Sequence, residues 1–533
     1  MKFASSILST LDDRLNPLSV REFRQAVRSR WVSIVVVLLL LINIICIGGY
    51  LVLEPTAATT RNGGATVYSI LFTVLMGVTI GFVPCYVGVR LLLEHNDLNT
   101  DLLFGTTLSP GAIVRGKYFS AMALTLLLMS ACTPFMTMTY LLRGVDLMSI
   151  FLSLGLLLAV STLANAIGIL VGSVPGSWFI RAIIAVIALG CLYSLMVMTF
   201  ALTMDMLHMS MRIDDGTWAP WLMVGSFLFI ELMVIGLLLS YSIVFLSPRT
   251  SNRMFPLRLY ITAVWFLSGV LAITSIYSIS AMRSTPSRLD TELILAWGFV
   301  WICAILVLMF ASLGERDTWT FRVRRTIPRR TTFRFLAFLT YSGSAGAFLW
   351  SCLMTIATFL VMAPWIDWMT ISPYFREAEL FVDLTIFAGF VFCYCLTAVL
   401  LRMTILKNAR TIILPLVALL IGLSVAVIPY MTAFFVNTNM KDPPPMTLMA
   451  SPLGLTLSNM RDEVIGWSIP LLSIWAPIVF LLSLPWFFGQ WRQFVRHETS
   501  KGASREIAPL PHVSASNGTK AEASALEAES STI

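Results

Sequence analysis

Long apolar runs dominate this sequence and limit the folds it can adopt. Twelve runs of about 20 residues carry almost no charge, and each is long enough to cross the hydrocarbon core of a bilayer as a helix. A helix satisfies its own backbone hydrogen bonds in lipid, which irregular chain cannot do. The runs are residues 32–53, 67–90, 118–142, 149–173, 178–204, 222–246, 258–280, 293–313, 335–362, 380–401, 411–435 and 469–489.

The positions of lysine and arginine predict how these helices are oriented. If the N-terminus lies inside the cell, 28 of the 36 basic residues fall in inner segments and 8 in outer loops. Basic residues are retained on the cytoplasmic side, so both termini are expected there. The net charge of +8 then reflects membrane topology, and we expect no nucleic acid partner. The sequence predicts an all-α polytopic membrane protein with about twelve transmembrane helices.

The spacing of the loops divides the chain into two six-helix halves. In each half the longest inner loop follows the second span, at residues 93–117 and 314–334. Internal repeats are common in transporters, although a chance rhythm of loops is the alternative. The predicted regions are an N-terminal segment 1–31, a first membrane module 32–246, a second membrane module 247–489 and a disordered cytoplasmic tail 490–533.

The N-terminal segment predicts an amphipathic helix on the inner membrane surface. Its apolar residues recur every three or four positions and therefore share one helical face, with arginines beside them. A basic amphipathic helix binds anionic headgroups, which makes the lipid bilayer an expected partner. A positive flank that only fixes topology is the simpler alternative. The residues are Arg21, Phe23, Arg24, Val27, Arg28 and Trp31.

The inner loop 93–117 has the features of a structured segment. Ser109 followed by Pro110 predicts a helix start, because serine is a favoured N-cap and proline suits the first helical position. An apolar stripe interrupted by aspartates precedes this point. A short amphipathic helix of this kind can fit a groove on a soluble partner. A loop that merely connects two spans is the alternative.

The same loop contains an incomplete phosphate-binding pattern. Gly111, Gly116 and Lys117 have the spacing G-x-x-x-x-G-K, but the next residue is Tyr118, where the motif needs a serine or threonine for magnesium. The pattern H-E-x-x-H and a nucleophile elbow are absent from the sequence. We therefore expect a protein that is not an enzyme, with no catalytic residues, no metal site and no cofactor bound by this chain.

Two stretches, NPLSVREFRQAVRSR and LEHNDLNTDLLFGTTLSPGAIVRGK, resemble the start and the coupling loop of ABC-2-type exporter permeases. The resemblance covers about residues 16–146. It implies a location in the bacterial inner membrane and a partner, a cytoplasmic ATPase subunit acting as a dimer, which uses ATP to drive export. It also implies short re-entrant segments at about 205–221. The implied coupling residues are Glu94, Asp97, Asp101, Thr107, Ser109, Pro110, Arg115 and Lys117.

The second half departs from the family pattern. Its loop 314–334 is basic and lacks the serine-proline and glycine-lysine motifs, so a coupling role there is doubtful. Binding of headgroups and docking of a second ATPase are both open for this loop. Whether one chain forms the pore or pairs with a second permease chain is open as well.

Glu231 is the candidate residue of a transport path, because it lies at the centre of the sixth apolar run. A carboxylate at mid-bilayer costs roughly 3 kcal/mol on insertion scales, so it should face protein or water. A structural hydrogen-bonded pair is the alternative role. The rival function is a twelve-span ion-coupled secondary transporter, which would want several intramembrane carboxylates or a loop signature such as G-x-x-x-D-R. A membrane-embedded enzyme or scaffold is a further rival.

Overall fold

The structure is a computed structural model that describes most of the chain. The described residues are 21, 23–25, 28–53, 63–96, 109–142, 145–175, 178–208, 219–248, 251–283, 288–367, 376–406, 413–436, 444–451, 454 and 461–496. These residues form fifteen α-helices and contain no strand. Twelve helical spans are long and apolar enough to cross a membrane. The predicted all-α polytopic fold is therefore confirmed.

The helices are numbered in chain order. They are α1 (Arg30–Leu53), α2 (Gly63–Met76), α3 (Val83–Asn96), α4 (Pro110–Met138), α5 (Leu147–Ser173), α6 (Trp178–His208), α7 (Ala219–Leu246), α8 (Met254–Arg283), α9 (Arg288–Ser312), α10 (Phe321–Thr326), α11 (Thr331–Thr340), α12 (Ser344–Asp367), α13 (Arg376–Thr404), α14 (Leu414–Val436) and α15 (Arg461–Gln493). A π-helical turn, Gly77–Phe82, joins α2 and α3 into one span just before Pro84. The short helices α10 and α11 do not span.

The start of the ninth predicted span, residues 335–362, was wrong. Its first residues belong to the separate helix α11, and the membrane helix α12 begins only at Ser344. Gly346 makes the sharp turn between the two helices possible, because a Cβ there would lie 1.9 Å from the carbonyl oxygen of Phe338. The sequence stays apolar through this turn, so the apolar run alone did not indicate that it contains two separate helices.

The first membrane helix begins at Arg30 and includes Trp31. Arg21 and residues 23–25 are helical, whereas Arg28 and Ser29 lie in a turn. Trp31 is an exposed residue of α1, and the amphipathic helix over residues 21–31 stays a prediction. Val27 lies outside the described residues.

Each half of the chain has its own buried core. One cluster of buried apolar residues is built from α1 to α7, and another from α9 to α15. Equivalent spans pack in similar ways, since the fourth span, α5, contacts α6 and α7, and the tenth, α13, contacts α14 and α15. A smaller cluster joins the halves through α7, α8, α9, α11 and α12. The packing fits the predicted halves, but a repeat relationship stays a prediction.

Glycines bring the backbones of α3 and α5 into contact. Gly168 and Gly172 have the spacing G-x-x-x-G on α5, which lets membrane helices approach closely. A Cβ on Gly168 would lie 2.3 Å from the Pro84 carbonyl oxygen, and one on Gly172 would lie 2.4 Å from the Gly88 carbonyl oxygen. This contact fixes α3 against α5 and so positions the end of α3, where Glu94 lies.

Candidate functional site

The predicted helix start in the first long loop is confirmed. Ser109 is the N-cap of α4, and its side-chain oxygen accepts a hydrogen bond from the N–H of Ala112 at 3.3 Å. Pro110 occupies the first helical position. The helix then continues without a break to Met138. Residues 110–117 therefore form the first turns of the same helix as the third span, and the coupling role stays a prediction.

A buried lysine links these first turns of α4 to the second span. The Lys117 Nζ lies 2.6 Å from the Glu94 Oε2, with the lysine side chain 5% exposed and the glutamate 38% exposed. The Nε of Arg90, one turn earlier on α3, lies 3.5 Å from the Glu94 Oε1. Opposite charges attract more strongly where water is partly excluded. The ends of the second and third spans are thus tied together.

The candidate coupling residues divide by exposure. Ser109 and Arg115 are exposed, so a partner at this face of the bundle could contact them directly. Lys117 is buried, and its side chain supports the site from within. Ile113 and Val114 point into the protein, since both are buried. The other candidates, Asp97, Asp101 and Thr107, lie outside the described residues.

Glu231 has a hydrogen-bond partner on a neighbouring span. Its side chain on α7 is largely buried, and the Thr162 Oγ1 of α5 lies 3.0 Å from its Oε1. The same hydroxyl lies 2.7 Å from the Ala159 carbonyl oxygen. A hydroxyl has one proton to donate. An ionised Glu231 can therefore accept from Thr162, and a protonated Glu231 can donate to Thr162 while Thr162 donates to Ala159.

Further polar groups follow the same helix, α5. Asn165 donates from its Nδ2 to the Thr125 Oγ1 of α4 at 3.1 Å. Within the described part of the chain, the Asn165 Oδ1 and the Ser161 Oγ are buried without a hydrogen-bond partner. Ser161 and Asn165 are four residues apart and share a face of the helix. Buried polar atoms usually have a protein or water partner, so this face can hold water or a polar ligand atom.

The second long loop is folded against the bundle. Asp317 accepts hydrogen bonds from the Ser344 hydroxyl and the Gln490 amide, and its Oδ2 lies 2.6 Å from the Arg402 Nη1. The Gln490 amide also donates to Ser344, at 2.7 Å. These contacts join the loop to the start of α12 and to the ends of α13 and α15.

A second ion pair holds the same loop. Glu315 pairs with Arg258 of α8 and accepts a hydrogen bond from the Gly343 N–H at 2.8 Å. Arg258 also donates to the Leu339 carbonyl oxygen at 3.1 Å. The loop therefore bridges α8, α12, α13 and α15, and their ends must lie on one face of the protein. We call it the inner face, because the charge distribution predicts it to be cytoplasmic.

An ion pair on the opposite face aligns two spans of the second half. The Arg461 Nη2 at the start of α15 lies 2.9 Å from the Asp383 Oδ1 near the start of α13. The two helices therefore run side by side from this level. Because a helix rises about 1.5 Å per residue, the number of residues after Asp383 or Arg461 gives the distance from this pair along the helix.

The segment 444–451 reaches below that level. The Ser468 hydroxyl of α15 donates to the Met449 carbonyl oxygen at 2.9 Å, and the Tyr394 hydroxyl of α13 donates to the Ala450 carbonyl oxygen. Counted along the two helices, Ser468 and Tyr394 lie roughly 10–16 Å from the Asp383–Arg461 pair, on the side toward the inner face. Leu448 is fully buried among residues of α13 and α15. The segment therefore packs between α13 and α15, ahead of the last span in the chain.

The predicted spans end at residue 435 and resume at residue 469, so the sequence analysis did not predict this element. The signal was present in the apolar run MTLMASPLGLTL after a row of prolines, which is unusual for a loop in water. The re-entrant segments implied at 205–221 fall largely on residues 209–218, which lie outside the described residues. Residues 205–208 and 219–221 continue α6 and α7.

Comparisons with protein-family models, with curated proteins and with solved structures find no match to this chain. Within the described residues, no group of three or more histidine, cysteine or acidic side chains is placed to hold a metal ion. A functional assignment must therefore come from the residues and their geometry.

Proposed function

We propose that this chain is the membrane permease subunit of an ABC-type exporter, driven by a separate cytoplasmic ATPase subunit that acts as a dimer. The observation that carries the proposal is the ion pair between the buried Lys117 and the partly exposed Glu94, which ties the first turns of α4 to α3. A force applied to residues 109–117 reaches α4 directly and α3 through this pair. Such an arrangement suits a protein that receives mechanical work from a partner.

The packing of the first half gives that force a path into the membrane. The backbone of α3 rests on α5 at Gly168 and Gly172, and α5 packs in turn against α7. A tilt of α3 and α4 would therefore carry α5 with it. Packed helices move as bodies more readily than they deform. We infer that α3, α4 and α5 move together when the bundle changes between inward-facing and outward-facing states.

We infer that the segment 444–451 is re-entrant, which lends the proposal further support. The family resemblance implies re-entrant segments on the outer face before the sixth span, and this segment holds the equivalent place before the twelfth. It lies where α13, α14 and α15 meet, opposite the inner face. A mobile block at this position would serve as an outer gate.

The proposal fixes the setting of the protein. The chain is an integral, multi-pass membrane protein, and we place it in the bacterial inner membrane with both termini in the cytoplasm. ATP binds to the partner subunit and not to this chain. The loop on residues 97–108, between α3 and α4, would complete the docking surface.

An ion-coupled secondary transporter is the second candidate function. The observation that favours it is Glu231, whose contacts with Thr162 suit both a protonated and an ionised carboxyl. A carboxyl group that can exchange a proton inside the bundle is a common element of such transporters. In this reading ion binding, and not a partner, would drive the conformational change.

Purification of the tagged protein from native membranes in mild detergent, followed by mass spectrometry, tests the proposal. We expect a soluble ATPase with Walker motifs to accompany the wild type and to be lost from the double variant Pro110→Asp/Lys117→Glu. Arg115→Glu should weaken the association, while Arg325→Glu on the second loop is the matched control and should retain it. All variants must elute as a single species in size-exclusion chromatography.

The outcome that supports the ion-coupled transporter is equally definite. If several detergents retain no ATPase, proteoliposomes loaded with a pH-sensitive dye should reveal proton flux that Glu231→Gln abolishes. Co-purification of an ATPase together with the absence of such flux would exclude that candidate.

A further inference from the structure

We propose that the second inner loop, residues 313–343, is a binding surface for the headgroups of anionic phospholipids. This assignment concerns a different surface from the proposed ATPase contact and does not depend on it. The loop carries α10 and α11 and connects the eighth span to the ninth. Charge, apolar side chains and position relative to the membrane all point to the same occupant.

The charge of this surface is strongly positive. Seven arginines lie in residues 313–343, against only two acidic residues. Both acidic side chains are engaged inside the protein, Glu315 by Arg258 and Asp317 by Arg402. Within the described residues, four arginines of this surface are exposed and make no ion pair, so their charge is accessible to an outside partner. They are Arg316, Arg322, Arg325 and Arg330.

Apolar side chains accompany the arginines. Phe333 and Leu336 are three residues apart on α11, 54% and 52% exposed, and residues at this spacing share a helix face. Phe335 is exposed as well. Basic residues beside exposed aromatic and aliphatic ones are typical of helices that lie in the membrane interface. A soluble partner that contacted only the arginines would leave these apolar side chains exposed to water.

The position of α11 brings this face to the membrane surface. Only three residues separate its end from Ser344, where the membrane helix α12 begins. Arg334 fixes α11 to the inner end of α15, because its guanidinium donates to the carbonyl oxygens of Phe494 at 2.7 Å and Trp491 at 2.9 Å. The same guanidinium lies 4.5 Å from the centre of the Trp491 ring. The helix is therefore held at the level where the spans leave the bilayer.

The surface is also preformed. Glu315, Asp317 and Arg334 hold the loop to four different spans, so little order has to be gained on binding. Free phosphate or an acidic soluble protein would meet the arginines alone. A lipid meets the arginines with its phosphate and the apolar side chains with its acyl chains, which is why we assign a lipid.

Native mass spectrometry of the purified full-length protein tests this assignment. The protein is equilibrated with mixtures of phosphatidylglycerol and phosphatidylcholine, and the retained lipids are counted. The variant Arg322→Gln/Arg325→Gln/Arg330→Gln removes the charge, and the matched variant with lysine at the same three positions keeps it. Phe333→Ser/Leu336→Ser removes the apolar contribution. Inorganic phosphate is added to separate samples as a competitor.

We expect the wild type to retain phosphatidylglycerol in preference to phosphatidylcholine. The glutamine variant should lose this preference by about tenfold or more, because each basic residue near a membrane adds to the attraction. The lysine variant should keep most of it, and the serine variant should weaken retention of both lipids. No preference in the wild type, an unchanged preference in the glutamine variant, or complete displacement by phosphate would overturn the proposal. So would a glutamine variant that keeps its lipid but loses a co-purifying soluble protein.

Discussion

Lys117 and Glu94 join the third and second spans at the inner face, with the lysine Nζ 2.6 Å from the glutamate Oε2. The sequence resemblance placed both residues at a contact with a partner. In the structure Lys117 faces inward, and the exposed residue of the same turn is Arg115. We propose that the pair stiffens this part of the bundle and that Arg115 is the residue a partner would contact.

Replacement of Lys117 should therefore lower stability. Breaking an exposed ion pair costs about 0–1 kcal/mol and breaking a buried one about 3–5 kcal/mol. Since one partner is buried and the other partly exposed, we expect Lys117→Met to cost about 1–3 kcal/mol. Thermal unfolding of the detergent-purified protein measures this loss. Arg115→Ala is the matched control and should leave the unfolding temperature unchanged; equal losses in both variants would contradict the assignment.

The backbone contact between α3 and α5 predicts a strong effect at Gly168. A methyl group there would lie 2.3 Å from the Pro84 carbonyl oxygen, so Gly168→Ala must push the two helices apart. Overpacking of this kind typically costs about 1–3 kcal/mol or more. Yield and unfolding temperature of the purified protein are the readouts.

Gly155 on the same helix provides the control. A Cβ at this position would meet nothing within 4 Å, and alanine is favoured over glycine in helices by about 1 kcal/mol. Gly155→Ala should therefore be neutral or slightly stabilising. A Gly168→Ala protein as stable as Gly155→Ala would show that α3 and α5 are not in backbone contact.

Asp317 should be essential for the fold of the second inner loop. Its removal takes a carboxylate acceptor from Arg402, Gln490 and Ser344, and hydrogen bonds to charged groups contribute about 1.5–3 kcal/mol each. We expect Asp317→Ala to destabilise the protein by about 2–4 kcal/mol. Protease sensitivity of residues 313–343 should rise at the same time.

Asp462 is a suitable comparison for Asp317. It also lies beside an arginine, Arg461, at 3.5 Å, but its side chain is 95% exposed. Substitutions at exposed ion pairs usually change stability by less than about 0.5 kcal/mol. If Asp462→Ala and Asp317→Ala behave alike, the interior position of Asp317 is refuted.

Glu231→Gln should leave assembly intact and change transport. The amide of glutamine can both donate to and accept from Thr162, so the contact between α5 and α7 is preserved while the ionisable proton is lost. We expect normal expression and a changed rate of coupled ATP hydrolysis in the reconstituted complex. Wild-type transport at normal expression would assign Glu231 a purely structural role. Thr162→Val, which removes the hydroxyl, should weaken the packing as well.

The sequence was sufficient for the elements that depend on local composition. Twelve apolar runs correspond to twelve helical spans, because hydropathy and length decide insertion into a bilayer. The N-cap at Ser109 was also predictable, since capping needs only the hydroxyl and the helix that follows it.

Elements that depend on distant residues were not predictable. The burial of Lys117 requires the approach of α3, and the segment 444–451 is held by Tyr394 and Ser468. The order in the second inner loop comes from Arg258, Arg402 and Gln490, which are far away in sequence. A single sequence gives the residue types at these positions but not which of them meet.

Site-specific photo-cross-linking in native membranes tests the central claim most directly. A photoreactive amino acid at position 115 should cross-link to a soluble ATPase with Walker motifs, whereas one at position 325 should cross-link chiefly to lipid. Cross-links from position 115 to lipid alone, with no ATPase captured in the presence or absence of ATP, would contradict the account.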